Sequence, residues 1–136
     1  MIDAVRTALS GLGAATTRLG GVAGNLANQR SAGALRPEEG AAPTYEPAAY
    51  EPVVTVQQSA PGGGTTAAYR RAEPATVPSY EPDSPLADED GMVGEPNVDP
   101  AREMAEMLAA RQSYEANLRT VRTATEMQDS LLRIVT

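Results

Sequence analysis

Apolar residues recur over the first 28 positions at alternating intervals of three and four: Ile2, Val5, Leu9, Leu12, Thr16, Leu19, Ala23 and Leu26. All but Thr16 are apolar, and this sustained 3.5-residue period is that of a coiled-coil seam rather than the broader stripe of a globular surface helix. The spacing predicts a helix over about residues 2–28, roughly 40 Å long. Five glycines (Gly11, Gly13, Gly20, Gly21 and Gly24) sit inside it. Each costs about 1 kcal/mol relative to Ala, together enough to melt an isolated helix. The regular seam favours a different use for them: small residues let neighbouring elements approach closely in a crowded bundle.

The last third repeats the pattern. Asp99 precedes Pro100, with Glu103 and Glu106 in the first turns. These are an N-cap, a proline at the first helical position and acids at the positive end of the helix dipole. The seam then runs Met104, Met107, Arg111, Tyr114, Leu118, Val121, Thr125, Gln128, Leu132 and Val135, widened by Leu108, Met127 and Leu131. A helix from Pro100 to Val135 spans roughly 54 Å.

Proline marks the boundaries between these elements. All eleven prolines lie from Pro37 to Pro100, leaving two flanks free of the residue that breaks long helices. Charge divides at the same places. Residues 1–36 carry four Arg against one Asp, residues 37–100 two Arg against twelve acids, and residues 101–136 five of each sign. In the middle, Val53-Val54-Thr55-Val56-Gln57 reads as a strand and Ala67–Arg71 as a weaker partner across Gly62-Gly63-Gly64. Three copies of a short unit, Tyr45-Glu46-Pro47, Tyr50-Glu51-Pro52 and Tyr80-Glu81-Pro82, read as rigid packing rather than a polyproline ligand. The expected fold is therefore mainly α. Two long terminal helices form an antiparallel coiled coil around a small, irregular, Pro-rich middle containing a β-hairpin, partitioned as 1–36, 37–99 and 100–136.

Composition narrows the chemistry. Neither His nor Cys is present, which excludes thiol nucleophiles, His-based triads, disulfides and the usual zinc sites. The net charge of −7 disfavours general affinity for nucleic acid, which rests on clustered cations. The longest apolar run is Met107-Leu108-Ala109-Ala110, far short of the roughly 20 residues of a membrane span, and no cleavable signal is expected at the start. Asp88-Glu89-Asp90-Gly91 invites a calcium reading, but an EF-hand frame would put Leu86 and Asn97 at ligand positions. An acidic, solvated turn is expected instead, with no cofactor, no metal and no enzymatic activity.

The more specific mark is Val22-Ala23-Gly24-Asn25-Leu26-Ala27-Asn28. Locally, Asn is a helix terminator that tolerates the left-handed conformation. Taken whole, the heptapeptide resembles the N-terminal signature of the bacterial flagellar rod and hook proteins. Asn97-Val98-Asp99 followed by Glu103-Met104, Met107, Tyr114-Glu115-Ala116-Asn117 and Met127 is similar to that family's C-terminal helix. Tyr69-Arg70-Arg71 and the linker from Tyr80 to Val98 are similar to a proximal rod member. The chain departs from the family at Ser31-Ala32-Gly33-Ala34-Leu35, where the usual aromatic after Gly is missing.

The resemblance implies a structural subunit exported unfolded through the flagellum-specific type III apparatus, without a cleavable signal peptide. It implies a periplasmic rod in the basal body, built from copies of this chain and other rod proteins. The expected subunit-interface seam is Ile2, Val5, Leu9, Leu12, Leu19, Leu26, Met104, Met107, Tyr114, Leu118, Val121 and Leu132. The alternatives are another rod paralogue, a cytosolic helical adaptor or export chaperone, which would form a discrete dimer and no polymer, and a carboxylate-dependent hydrolase, for which no paired site is visible. If the seam packs between subunits, Leu118→Asp removes about 1.5–3 kcal/mol of burial in every copy and adds an unpaired charge. The expected outcome is a protein that accumulates and is exported normally but is missing from purified basal bodies, with non-motile cells. Arg119→Ala, one residue and about 100° away, should be mild.

Overall fold

The structure is a computed structural model that describes residues 2–35 and 47–135. These described residues form two helices and five strands in the order α1 (Ile2–Ala27), β1 (Gly33–Ala34), β2 (Val53–Ser59), β3 (Thr65–Arg71), β4 (Thr76–Tyr80), β5 (Met92–Pro96) and α2 (Pro100–Val135). Both helices start and stop where the sequence signals lie. Asp99 Oδ1 accepts the backbone N–H groups of Ala101 (2.9 Å) and Arg102 (3.3 Å), so the N-cap and the proline behind it open α2 as expected. Asn28 closes α1 by donating from both its backbone and its carboxamide to Gly24 O, at 3.1 and 2.9 Å.

The middle corrects the expected fold class. Among the described residues the middle is not an irregular insert with one weak hairpin, and two sheets stand beside the helices, so the fold is not mainly α. β2 and β3 form a regular seven-residue antiparallel hairpin from Val53↔Arg71 to Ser59↔Thr65. β1, β5 and β4 form a second antiparallel sheet in that order. The second sheet is hidden in the sequence because its strands contain breakers. Pro78 sits on the edge strand β4 opposite Gly94, a place where a missing backbone donor is tolerated. Gly94, on the central strand, is buried with the β1 backbone close beside it: an added Cβ would lie 3.4 Å from Ala34 O. Beside it Val93 is wholly buried.

The second correction concerns the helices. They do not form an antiparallel coiled coil along the predicted seams. They run past one another in opposite directions, with Asn25 against Glu103 and Gly11 against Asn117. The residues buried on α1 are Ala8, Ala14, Ala15, Gly21, Val22 and Asn25, and on α2 Ala110 and Ala124. Ile2, Leu9, Met104, Tyr114 and Leu132 are exposed, whereas Val5, Leu12, Leu19, Leu26, Met107, Leu118 and Val121 are half-buried beside the contact. The packed line on α1 (Ala8, Gly11, Ala15, Arg18, Val22, Asn25) keeps the three–four spacing but lies one residue, about 100°, behind the aliphatic line. Small side chains won the inner position because the hairpin already occupies the neighbouring face of α1, so α2 must approach closely.

Of the repeated Tyr-Glu-Pro units, Tyr45 and Glu46 lie outside the described residues. In the second unit Pro52 is buried and Glu51 pairs with Arg71 at 2.9 Å, while Tyr80, Glu81 and Pro82 are exposed. The acidic turn is held by Asp88 Oδ1, which accepts from the backbone N–H of Asp90 (3.0 Å) and Met92 (2.8 Å). Among the described residues no group of acids is placed to hold a metal ion, and no helix is long and apolar enough to cross a membrane.

Candidate assembly interface

Asn25 lies at the centre of the molecule, with 2% of its surface exposed. Its carboxamide pairs with both backbone groups of Val53 at the start of β2: Nδ2 donates to Val53 O (2.8 Å) and Oδ1 accepts from Val53 N–H (2.9 Å). This is the pattern one residue of a strand makes with its neighbour, supplied here by a side chain on a helix. Nδ2 also donates to Glu103 Oε1 on α2 (3.1 Å), and the Tyr50 hydroxyl donates to Oδ1 (3.2 Å). One side chain therefore joins the end of α1, the hairpin, the loop before it and the start of α2. Among the described residues no buried side-chain polar atom lacks a hydrogen bond.

The glycines of α1 admit what the hairpin and α2 bring. A Cβ on Gly20 would lie 2.8 Å from the Tyr69 hydroxyl, and one on Gly21 3.0 Å from the Tyr69 ring. On Gly24 it would lie 3.3 Å from the Tyr50 hydroxyl, and on Gly11 2.7 Å from the Asn117 carboxamide. The Tyr69 hydroxyl donates to Thr17 O on the helix (2.8 Å), and near the hairpin tip Ser10 Oγ accepts from Thr65 N–H (3.1 Å). α1 thus carries three lines of residues around its circumference. Thr7, Ser10, Thr17, Gly21 and Gly24 face the hairpin and Tyr50. Ala8, Gly11, Ala15, Val22 and Asn25 face α2. The third line, which includes Ile2 and Leu9, faces solvent.

The motif residues read from the sequence are split between these roles. Val22, Asn25 and Glu103 come together in the buried contact. Asn97 holds the entry to α2, donating from Nδ2 to Pro74 O and from its backbone to Ala75 O, both at 2.9 Å, with Val98 half-buried beside it. Asn117 packs on Gly11 and Leu26 lies half-buried, whereas Met104 and Tyr114 point largely outward. The role of Tyr50 had no signal in the sequence beyond its repeat. Beside the clasp a cleft of about 520 Å³ is lined by Arg18, Arg70 and Arg102 together with Glu73, Asp99, Glu103 and Glu106. Charges of both signs line it, with Arg18 and Glu106 4.0 Å apart. It has the make-up of a polar contact surface.

The profile of the family described as flagellar basal body rod FlgEFG protein, C-terminal, matches residues 89–134, the acidic turn, β5 and nearly all of α2. The flagellar basal-body rod protein FlgC of Salmonella typhimurium is 34% identical over 122 residues, covering 87% of this chain and 85% of that protein. This chain belongs to the FlgC family of flagellar basal-body rod proteins. The FlgC proteins of Agrobacterium fabrum and Aquifex aeolicus are 41% identical over 59 residues and 52% over 40, covering 43% and 29% of this chain and 42% and 30% of those proteins. The chain is accordingly a structural rod subunit of the flagellar basal body. In a FlgC-family subunit the clasp has a mechanical meaning: it ties the helical and sheet parts into one body.

Two measurements probe the clasp. Asn25→Leu keeps the branching and the number of heavy atoms but leaves both Val53 groups and Glu103 without their partner, at about 1–3 kcal/mol for each group left buried. Urea denaturation should show a loss of about 3 kcal/mol or more. Tyr50 supplies a pH test, because its hydroxyl pKa is raised above 10.0 by burial first, then by the Glu103 and Tyr69 charges. A folded-state pKa above the unfolded value gives stability that is whole below about pH 10 and falls as pH rises through the folded pKa. Tyr50→Phe should flatten this alkaline loss, read as thermal melting between neutral pH and pH 11.

Proposed function

We propose that this subunit polymerises through its terminal helices, segments 1–36 and 100–136, with residues 37–99 as the body they carry. The outward lines of α1 and α2 pack against copies of the same chain and against other rod proteins. The supporting observation is the inversion of size on the helices. Alanine and glycine are buried within the chain, while Ile2 (77%), Leu9 (54%), Met104 (59%), Leu108 (61%) and Leu132 (66%) are exposed. Large aliphatics are the residues whose burial yields most, about 1.5–3 kcal/mol each, so a helix that turns them outward has a partner for them elsewhere. The twelve seam residues named from the sequence are in this reading subunit contacts, and Arg111–Glu115 (2.9 Å) lies on the outer surface of α2.

The subunit reaches the periplasmic rod through the flagellum-specific type III export apparatus, unfolded and without a cleavable signal peptide. A chain with so little apolar burial of its own suits that route, because it unfolds at low cost. Chemistry is absent from this reading: the subunit binds no cofactor and transmits torque through buried side chains.

Leu9→Asp separates the polymer from a cytosolic adaptor. Leu9 is exposed in the single chain, so the isolated variant should keep its unfolding free energy within about 0.5 kcal/mol of the parent. In cells it should be exported at normal levels, be missing from purified basal bodies and leave the cells non-motile. Normal motility, or normal basal bodies, would sink the assembly reading.

A further inference from the structure

The three-stranded sheet has two edges in different states. Beside β1 the chain supplies a cover: Ala34 N–H donates to Pro47 O (3.1 Å), and Ala34 forms a parallel bridge with Ala48. The other edge is β4, which packs on no helix or strand but β5. Bonds just beyond these two strands fix which way the β4 backbone points. Asn97 N–H donates to Ala75 O (2.9 Å) and Glu81 N–H to Gly91 O (2.9 Å), so the alternation of the ladder bonds Val77 to Glu95 and Ser79 to Val93. The backbone groups of Thr76, Pro78 and Tyr80 therefore point away from the sheet, and among the described residues nothing receives them.

Apart from its proline, β4 has the make-up of a strand that pairs readily. Thr76, Val77, Ser79 and Tyr80 carry no charge, and β-branched and aromatic side chains predominate. Val77 is 37% and Tyr80 69% exposed. Open edges are ordinarily blunted by charge, bulge, cover or proline, and of these β4 has Pro78 alone.

A second copy of this edge could add antiparallel, with the outward groups at positions 76, 78 and 80 as rungs. Pairing 76 with 80 centres the contact on 78 against itself, and sliding by one rung pairs 78 with 76 or with 80. Every antiparallel alignment of more than one rung within Thr76–Tyr80 thus runs through position 78. There the donor is missing and a pyrrolidine ring stands toward the incoming strand. We propose that Pro78 holds this edge closed, keeping copies of the chain from joining sheet to sheet. β4 is then a latent contact for a second copy, blocked by one residue, whichever surfaces join subunits in the rod.

Hydrogen exchange on the parent chain tests the geometry. The Val77 and Ser79 amides should exchange slowly and those of Thr76 and Tyr80 fast; the reverse pattern overturns the proposal. Pro78→Thr restores the outward donor and tests the consequence. The variant should melt within about 5 °C of the parent, because what it loses is the entropy that proline saves in the unfolded chain. Sedimentation equilibrium of the full chain should show it associating about tenfold more tightly than the parent, with exchange at residues 76–80 slowing as concentration rises. Association through the helices is common to both chains and cancels in the comparison. Adding Val77→Lys puts an exposed charge on the edge and should return Pro78→Thr to the parent's level. Pro78→Thr overturns the proposal if it associates no more tightly than the parent, or associates with exchange at 76–80 unchanged. A melting temperature far below the parent's overturns it too, since an outward N–H has nothing in the sheet to disturb, and so does association that survives Val77→Lys.

Discussion

The fold depends on a carboxamide in a helix that behaves as a piece of strand. Asn25 gives Val53 both a donor and an acceptor, and the hairpin that starts there follows α1 back toward its N-terminus. A hydrogen bond gains little net free energy, but a buried polar group left without one is costly. Once Asn25 is inside, β2 and Glu103 have to be where they are. The same side chain thus sets the position of the hairpin along α1 and the level at which α2 begins beside it.

That constraint explains the glycines. A hairpin pressed on one face of α1 brings Tyr50 and Tyr69 against Gly24, Gly20 and Gly21, and α2 pressed on the next face brings Asn117 against Gly11. The conformational cost of these glycines is offset by contacts that any larger residue would prevent. Two closely packed faces leave no room for a Leu between them, so the long aliphatics lie on the remaining circumference. The outward seam is therefore a consequence of inward crowding.

This is also why the sequence could be read only so far. The helix boundaries were legible in Asp99-Pro100 and Asn28, since capping is local chemistry. β2 and β3 were legible in Val53–Gln57 and Gly62-Gly63-Gly64, since hairpin signals are local too. β4 and β5 were not, because Pro78, Gly94 and Pro96 mean breaker until the neighbouring strands are known. The heptad was real, but periodicity gives spacing and leaves open which of several adjacent lines faces inward. On α1, lines starting at Thr7, Ala8 and Leu9 share one spacing, and hydrophobicity pointed to the last of them. Asn25 was recognised within a motif, but its partner Val53 is 28 residues away and no local rule connects them.

The division between inside and outside also divides the energetics. Among the described residues the buried apolar side chains are Ala8, Ala14, Ala15, Ala49, Ala110 and Ala124, with Val22, Pro52, Val93 and Pro96 the larger ones. Alanine removes little apolar area from water, whereas each outward Leu or Ile holds about 1.5–3 kcal/mol that the single chain does not collect. Ordering each residue costs about 1–2 kcal/mol of backbone entropy, so a chain with an alanine core has a small margin. Neighbouring subunits can supply what is missing, because each one covers aliphatics that are wet in the monomer. A rod subunit built this way is easily kept unfolded before assembly and becomes rigid only where its neighbours already stand. The same distribution of side chains thereby favours passage as a chain and stiffness as a shaft.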